Sequence, residues 1–425
     1  MRILITGTTG NSMPPPYAGI PKLMLLTARA WRKWGNEVAI TFTYKPEGAD
    51  DLRAGGDYFF EYSKRPGKIA KLMFLFKYFL SKPVLYTSLI RSYTMTGARL
   101  TREVLLYSAY GVYLDNIFET WKPDIVLAEA VLVKTFMAVE IANRRKIPIV
   151  ADVYAEVRDL SMGENRRLNE DERKKYWVSY LNKLDLLIGL DNCAVEMKAY
   201  VPSEKLKVFW DTCDYQFYSK DTGESKEKLR EHFKLPQKTF LTGAVGSFEL
   251  RKGHDHLIRA VAILAKAGHD VGIVICGSLG GMKKWKAIAD EEGVSDRCYF
   301  FSSISEKDLA RLHRAIDLYT NLSNTQRSCS LDLALLEAMA SGLPLVVYDT
   351  GALYKAVPGE ENGYCVPMND IPKAAEAILK IFKRTPAERQ EMARKSRAIA
   401  EKVDIDITTK IKLGWFEELV KNYKK

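Results

Sequence analysis

The chain has 425 residues, 47% hydrophobic and 28% charged, the balance of a globular protein long enough for two domains of roughly 200 residues each. No apolar run reaches the roughly 18–20 residues of a membrane-spanning helix, and Met1–Gly7 is too short in its apolar part for a secretory leader, so a cytoplasmic location is expected. The net charge of +11 calls for an anionic partner, whether nucleic acid, anionic lipid or a phosphorylated substrate.

Taken in chain order, strands and helices alternate in two series, the pattern of parallel sheets covered by helices. Arg2–Thr6 reads as a strand, Lys22–Trp34 as a helix ending at Gly35, and Glu37–Phe42 as the next strand. Short apolar runs at Asp124–Ala128, Ile149–Val153 and Leu186–Leu190 continue the first series. The polar stretch Ser219–Gln237 reads as a linker with helical character. A second series then runs through strands Thr239–Val245, Val271–Cys276, Cys298–Phe301, Leu318–Asn321 and Leu345–Tyr348. Its helices are Asp255–Ala267, Met282–Glu292, Glu306–Ala315, Leu333–Ser341 and Ile371–Phe382, and the charged tail from Pro386 is helical. The expected class is α/β, with an N-terminal Rossmann-like domain over 1–215, a second over 216–400 and a C-terminal helix over 401–425 that returns to the first. The six cysteines are scattered without a C-x-x-C pair, which argues against a disulfide framework or a cysteine metal site.

Two glycine-bearing turns attract notice for different reasons. Thr6-Gly7-Thr8-Thr9-Gly10 looks like a dinucleotide-binding turn, but Pro14-Pro15-Pro16 follows and prevents the immediate helix entry that such a turn needs. In the second half, Gly246-Ser247-Phe248-Glu249-Leu250-Arg251-Lys252-Gly253 lies between a strand and a helix. Arg251 and Lys252 there are able to clamp a diphosphate, although a solvated basic turn is the plainer reading. Cys329-Ser330-Leu331-Asp332 precedes a helix whose first amides are unpaired and suited to an anion. Asp349-Thr350-Gly351-Ala352 is a third small-residue turn after a strand, and the three turns converge on one crevice at the carboxyl edge of the sheet.

These residues resemble glycosyltransferase family 4 over most of the chain, most strongly from about Val245 to Asp370. The resemblance rests on Gly246, Lys252-Gly253, Cys276-Gly277-Ser278, the run Leu336-Glu337-Ala338-Met339-Ala340-Ser341-Gly342-Leu343-Pro344-Leu345-Val346-Val347, then Thr350-Gly351, Asn362-Gly363, and Pro367 to Asp370. Ala18-Gly19, Gly35-Asn36-Glu37-Val38 and Lys122-Pro123-Asp124 extend it more loosely into the first half. The resemblance implies a GT-B architecture, with two Rossmann-like domains facing across a cleft, and transfer of a sugar from a nucleotide-sugar donor with retention of configuration. It implies that Lys252 holds the donor diphosphate and Glu337 the ribose hydroxyls, with Arg251 as a further cation. Gly19, Gly246, Ser247, Gly277, Ser330, Leu333 and Gly351 would line the donor, and no metal or other cofactor is implied. Two positions depart from the family. Cys329 stands where the first of two motif glutamates belongs, and Ser247 where an arginine belongs, so a member that binds a nucleotide sugar or a partner without catalysis is the alternative.

The 215 N-terminal residues contain no histidine, which excludes a histidine base from that half. Glu129, Asp152 and Glu156, each close after an apolar strand, are the acceptor-side carboxylate candidates, with exposed strand-end charge as the alternative. From Tyr62 to Arg102 nine lysines and arginines interleave with aromatic and aliphatic residues, and no Asp or Glu occurs. Such a segment suits an anionic membrane surface carrying a lipid-linked acceptor, or else a helix hairpin with a solvated basic face. Nucleic acid is disfavoured because no recognised binding module accompanies the charge.

Overall fold

In the computed structural model, the described residues are 1–8, 19–42, 49–61, 68–96, 100–129, 133–153, 170–190, 194–195, 197–209, 211–277, 281–302, 304–325 and 332–423. The chain forms two compact units, Met1–Phe209 with Thr408–Lys425, and Trp210–Ile407. Among the described residues no helix is long and apolar enough to cross a membrane.

Unit one is built on strands β1 (Arg2–Thr8), β2 (Glu37–Phe42), β3 (Phe59–Glu61), β4 (Ile125–Glu129), β5 (Ile149–Val153), β6 (Leu186–Leu190) and β7 (Leu206–Phe209). They form a parallel sheet in the order β3-β2-β1-β4-β5-β6-β7. Strands β4, β5 and β6 are buried along their whole length, which is why they read as continuous apolar runs rather than alternating ones. Successive side chains of β1 go to opposite faces. Leu4 joins the core around Tyr110 and Phe136, while Ile3 and Ile5 join the one around Trp31 and Phe416.

That second core includes the helix Ile405–Tyr423. The Trp31 indole donates to the Thr409 carbonyl at 2.9 Å, and its ring meets Phe416 at 5.2 Å. Lys412 Nζ reaches Asp152 at 2.6 Å, with side chains only 9% and 3% exposed.

Unit two carries β8 (Phe240–Val245), β9 (Val271–Gly277), β10 (Cys298–Ser302), β11 (Leu318–Asn321), β12 (Leu345–Asp349) and β13 (Gly363–Pro367). The order is β10-β9-β8-β11-β12-β13, again parallel throughout. Its faces are covered by helices such as His254–Lys266, whose Leu257, Ile258, Val261 and Leu264 recur at helical spacing and are buried. Gly293 ends the helix Met282–Glu292 at φ +73°, the left-handed residue that commonly closes a helix.

The stretch Ser219–Gln237 is part of unit two's packing rather than a free linker. Arg230, on the helix Lys226–His232, is buried and bonds Asp317 at 2.7 Å and the carbonyls of Ala315, Pro236, Gln237 and Thr239. A guanidinium with that many acceptors is stable inside, so a polar sequence hides a buried anchor.

Candidate active site

In unit two, strand order reverses between β8 and β11, so the connections leaving these neighbours run to opposite sides and open a crevice at the carboxyl edge. Three glycines let the loops close tightly there. A Cβ on Gly253, at φ +66°, would fall 1.8 Å from the Leu322 carbonyl oxygen, and one on Gly277 would fall 2.1 Å from that of Gly246. Gly246 donates its own N–H to Cys276 at 3.0 Å and leaves room for the Lys252 stem, which would lie 3.4–3.6 Å from a Cβ placed there. The loop after β11 is tied in by the Asn324 N–H, which donates to the Arg251 carbonyl at 3.0 Å.

Lys252 is aimed by this packing at the helix Leu333–Ala340. Its ammonium lies 2.7 Å from Asp332 Oδ2, and Asp332 caps the helix by accepting the Ala334 N–H at 3.4 Å. Asn321, at the end of β11, donates to the same carboxylate at 3.4 Å and takes bonds from the Ser323 N–H and hydroxyl. Burial works to raise the Asp332 carboxyl, but Lys252 and the hydrogen bonds outweigh it and hold the group below its ordinary value. A cation, a helix N-terminus and an anion thus already meet at one point. A phosphate group, like that carboxylate, offers anionic oxygens that accept from an ammonium and a helix N-terminus.

His254 supports the loop from below. Its Nε2 lies 3.1 Å from the Ser247 carbonyl, so Nε2 carries the proton and donates; the ring packs edge-on against Phe248 and Trp285. Burial lowers its pKa to about 4, so it is neutral at pH 7. Neither Asp332 nor His254 is assigned a role by the sequence reading. Asp332 stands in the quoted pre-helix segment, but only the fold shows its partner.

The other expected residues fall in different places. Leu333 is the first residue of the helix, next to Asp332, and Gly351 turns at φ +56° after β12. Arg251 is exposed and paired with Glu249, which Ser247 also bonds, so its guanidinium does not join Lys252 at Asp332. The pairing with Arg251 holds Glu249 below the usual carboxylate range. Glu337, one turn further along the helix, is buried and acts on Tyr218, whose phenol is raised well above its ordinary value by burial first and by Glu337 next.

In unit one, Gly19 opens the helix Gly19–Lys33, and Glu129 is buried at the end of β4, where its carbonyl would lie 2.3 Å from a Cβ on Gly7. Asp152 is spent on Lys412 in a buried ion pair, a structural employment that neither strand-end exposure nor acceptor activation anticipates. Glu156, Ser330 and Cys329 lie outside the described residues. Among the described residues no group of three His, Cys, Asp or Glu side chains is placed to hold a metal ion.

Residues 225–399, which contain this crevice, match the family of glycosyl transferases group 1. That match spans less than half of the chain. A D-inositol 3-phosphate glycosyltransferase of Corynebacterium jeikeium is 27% identical over 241 residues, 54% of this chain and 57% of that protein. A protein of the same name from Mycolicibacterium smegmatis is 32% identical over 171 residues, 39% of this chain and 38% of its own length. The chain therefore spans only part of the length of these relatives. Among solved structures, a glycosyltransferase from Rickettsia africae has a TM-score of 0.74 at 14% identity, over 99% of each chain. Anabaena HepE in complex with UDP and glucose has 0.74 at 16% identity, over 98% of this chain and 100% of HepE. At these identities the likeness is one of fold, the two parallel Rossmann-like sheets of GT-B glycosyltransferases.

Proposed function

We propose that this chain is a group 1 glycosyl transferase that moves a sugar from a nucleotide-sugar donor to a lipid-linked or glycan acceptor, with retention of anomeric configuration, and that the donor binds the carboxyl edge of unit two. The observation that carries the reading is the Lys252 ammonium 2.7 Å from Asp332 at a helix N-terminus, where strand order reverses. As the glycosidic bond to the diphosphate breaks, negative charge grows on the leaving oxygens, and a fixed ammonium at the positive end of a helix stabilises it. Donor binding is an exchange in which the diphosphate takes Lys252 and the Asp332 carboxylate gives it up. Glu337 is assigned to the ribose hydroxyls, Arg251 to a second cation at the crevice rim, and the Gly246, Ser247, Gly277, Leu333 and Gly351 backbones to the walls. UDP is the first nucleotide to test, because HepE has been solved with UDP and glucose.

The acceptor side of the reading rests on a helix hairpin of unit one. On Lys68–Ser81 and Pro83–Thr94, Tyr78, Tyr86, Leu89 and Tyr93 enter the core. Leu72, Met73, Phe76, Leu80 and Val84 are instead exposed, at 57–82%. An apolar face of this size in a segment free of acidic residues suits the surface of an anionic membrane, where a lipid-linked acceptor resides. Replacing Leu72 and Phe76 by serine is expected to abolish co-sedimentation with phosphatidylglycerol vesicles; unchanged sedimentation removes the membrane part of the reading.

The transfer itself is tested by release of nucleoside diphosphate from a panel of UDP-, GDP- and ADP-sugars, with acceptors that include inositol phosphates and glycolipids. Turnover by the wild type that is lost in Lys252→Ala is expected. Tight binding without release would favour a nucleotide-sugar binding protein.

A further inference from the structure

At the opposite edge of the unit-two sheet, Ile316 and Asp317 lead into β11, and Leu343 and Pro344 lead into β12. A cavity of about 420 Å³ opens there, at the far end of these strands from Lys252. Four cationic side chains line it: Lys226, Arg314, Arg389 and Arg397.

Asp317 is the carboxylate in the lining, and it is already committed. It pairs with Lys226, with Arg230 at 2.7 Å, and accepts the Leu241 N–H at 2.8 Å. Among the described residues the three lining arginines form no ion pair and bond only neutral acceptors. Arg314 donates to the Thr222 hydroxyl and the Tyr218 carbonyl, Arg389 to the carbonyls of Phe382 and Arg384, and Arg397 to that of Ser341 at 3.0 Å. Arg397 Nε is buried with no acceptor among the described residues. The Arg397 guanidinium is also built into place, because a Cβ on Gly342, at φ +84°, would fall 2.4 Å from its central carbon.

The charge is also crowded. Desolvation lowers the Arg314 guanidinium below its ordinary value; Asp221 and Glu224, neither of them in the cavity lining, act against it, and Arg397 acts with it. Lys226 is lowered by desolvation too, with Arg230 and Arg389 pushing the same way against Asp317. Concave walls of one sign focus their field, and guanidinium forks match phosphate oxygens in geometry. From this we infer that the amino edge of the unit-two sheet is a second anion site, separate from the Lys252 crevice, that takes a small multivalent phosphate through Arg314, Arg389 and Arg397.

The test is calorimetric titration of the full chain with inorganic pyrophosphate and tripolyphosphate at fixed ionic strength. Lys252→Ala is included to remove the crevice as a competitor. Binding is expected to survive Lys252→Ala within about twofold and to weaken at least tenfold in Arg314→Gln/Arg389→Gln, about 1.4 kcal/mol. Gln390→Glu places a carboxylate at the rim from an exposed position and is expected to weaken binding in a chain whose unfolding temperature is unchanged. It keeps the proposal testable if the arginine variants fail to fold. Binding that disappears in Lys252→Ala but persists in the pocket variants, or no binding by Lys252→Ala at all, overturns the proposal. The first result would place the diphosphate at Lys252 and support the crevice reading, and the second leaves that reading to the nucleotide-sugar titrations.

Discussion

Each unit places an ion pair near the carboxyl ends of its central strands, and the two pairs are built differently. In unit one, Asp152 of β5 holds Lys412 at 2.6 Å with both side chains nearly sealed, 3% and 9% exposed. In unit two, Lys252 and Asp332 are 2.7 Å apart but keep 22% and 20% of their side-chain surface open. A sealed pair fastens a helix to its sheet, and an open pair at a helix N-terminus can exchange one anion for another. The strand order is the same in both units around the reversal, so the difference lies in the loops and not in the scaffold.

The largest effect that separates the two pairs is expected in unit one. Lys412→Ala leaves a buried carboxylate without its cation and should cost about 3–5 kcal/mol in chemical denaturation. Lys412→Met combined with Asp152→Leu, which removes both charges and keeps the volume, should recover most of that loss. A small effect of Lys412→Ala would show that the pair is not structural. Next in size is Gly253→Ala, which sets a Cβ against the Leu322 carbonyl at a left-handed φ. It should cost about 2–3 kcal/mol and abolish nucleotide binding. The counterpart Gly7→Ala, at φ +119° against the Glu129 carbonyl, should destabilise unit one yet leave binding at unit two unchanged in titration.

The crevice also carries a pH signature. His254 is held neutral, near a pKa of about 4 against an ordinary 6.5, so between those values the unfolded chain binds the extra proton. Stability from this group is therefore full above pH 6.5 and is lost as pH falls toward 4, by about 1.4 kcal/mol per unit. Urea midpoints of wild type and His254→Gln should converge as pH drops through that window, and parallel curves would contradict the neutral assignment.

Much of this layout was legible in the sequence, for physical reasons that differ along the chain. The inner strands β4, β5, β6 and β11 are buried on both faces, and the first three are marked by short apolar runs. The strands not foreseen, β3, β7 and β13, are short edge strands of three to five residues, and β13 begins with Gly and ends with Pro. Lys252 was legible from its turn and motif. Its bond to Asp332 was not, because the two are 80 positions apart and only the sheet brings them together. The same holds for Asp152, whose partner lies 260 positions away.

The smallest expected effect on stability and the most direct on function belong to the open pair. Lys252→Ala should cost under about 1 kcal/mol of stability, since the pair is partly solvated. It should still weaken nucleotide-sugar binding by roughly tenfold to a hundredfold, the worth of a charge-assisted contact. Asp332→Asn should strengthen binding several-fold, because the donor no longer competes with a resident carboxylate.

The decisive measurement is a thermal-shift and titration panel of UDP-, GDP- and ADP-sugars against wild type, Lys252→Ala and Asp332→Asn. The account predicts that one donor stabilises the wild type, fails with Lys252→Ala and binds more tightly to Asp332→Asn. A donor that stabilises wild type and Lys252→Ala equally, or a panel with no binder at all, would contradict the placement of the donor site in unit two.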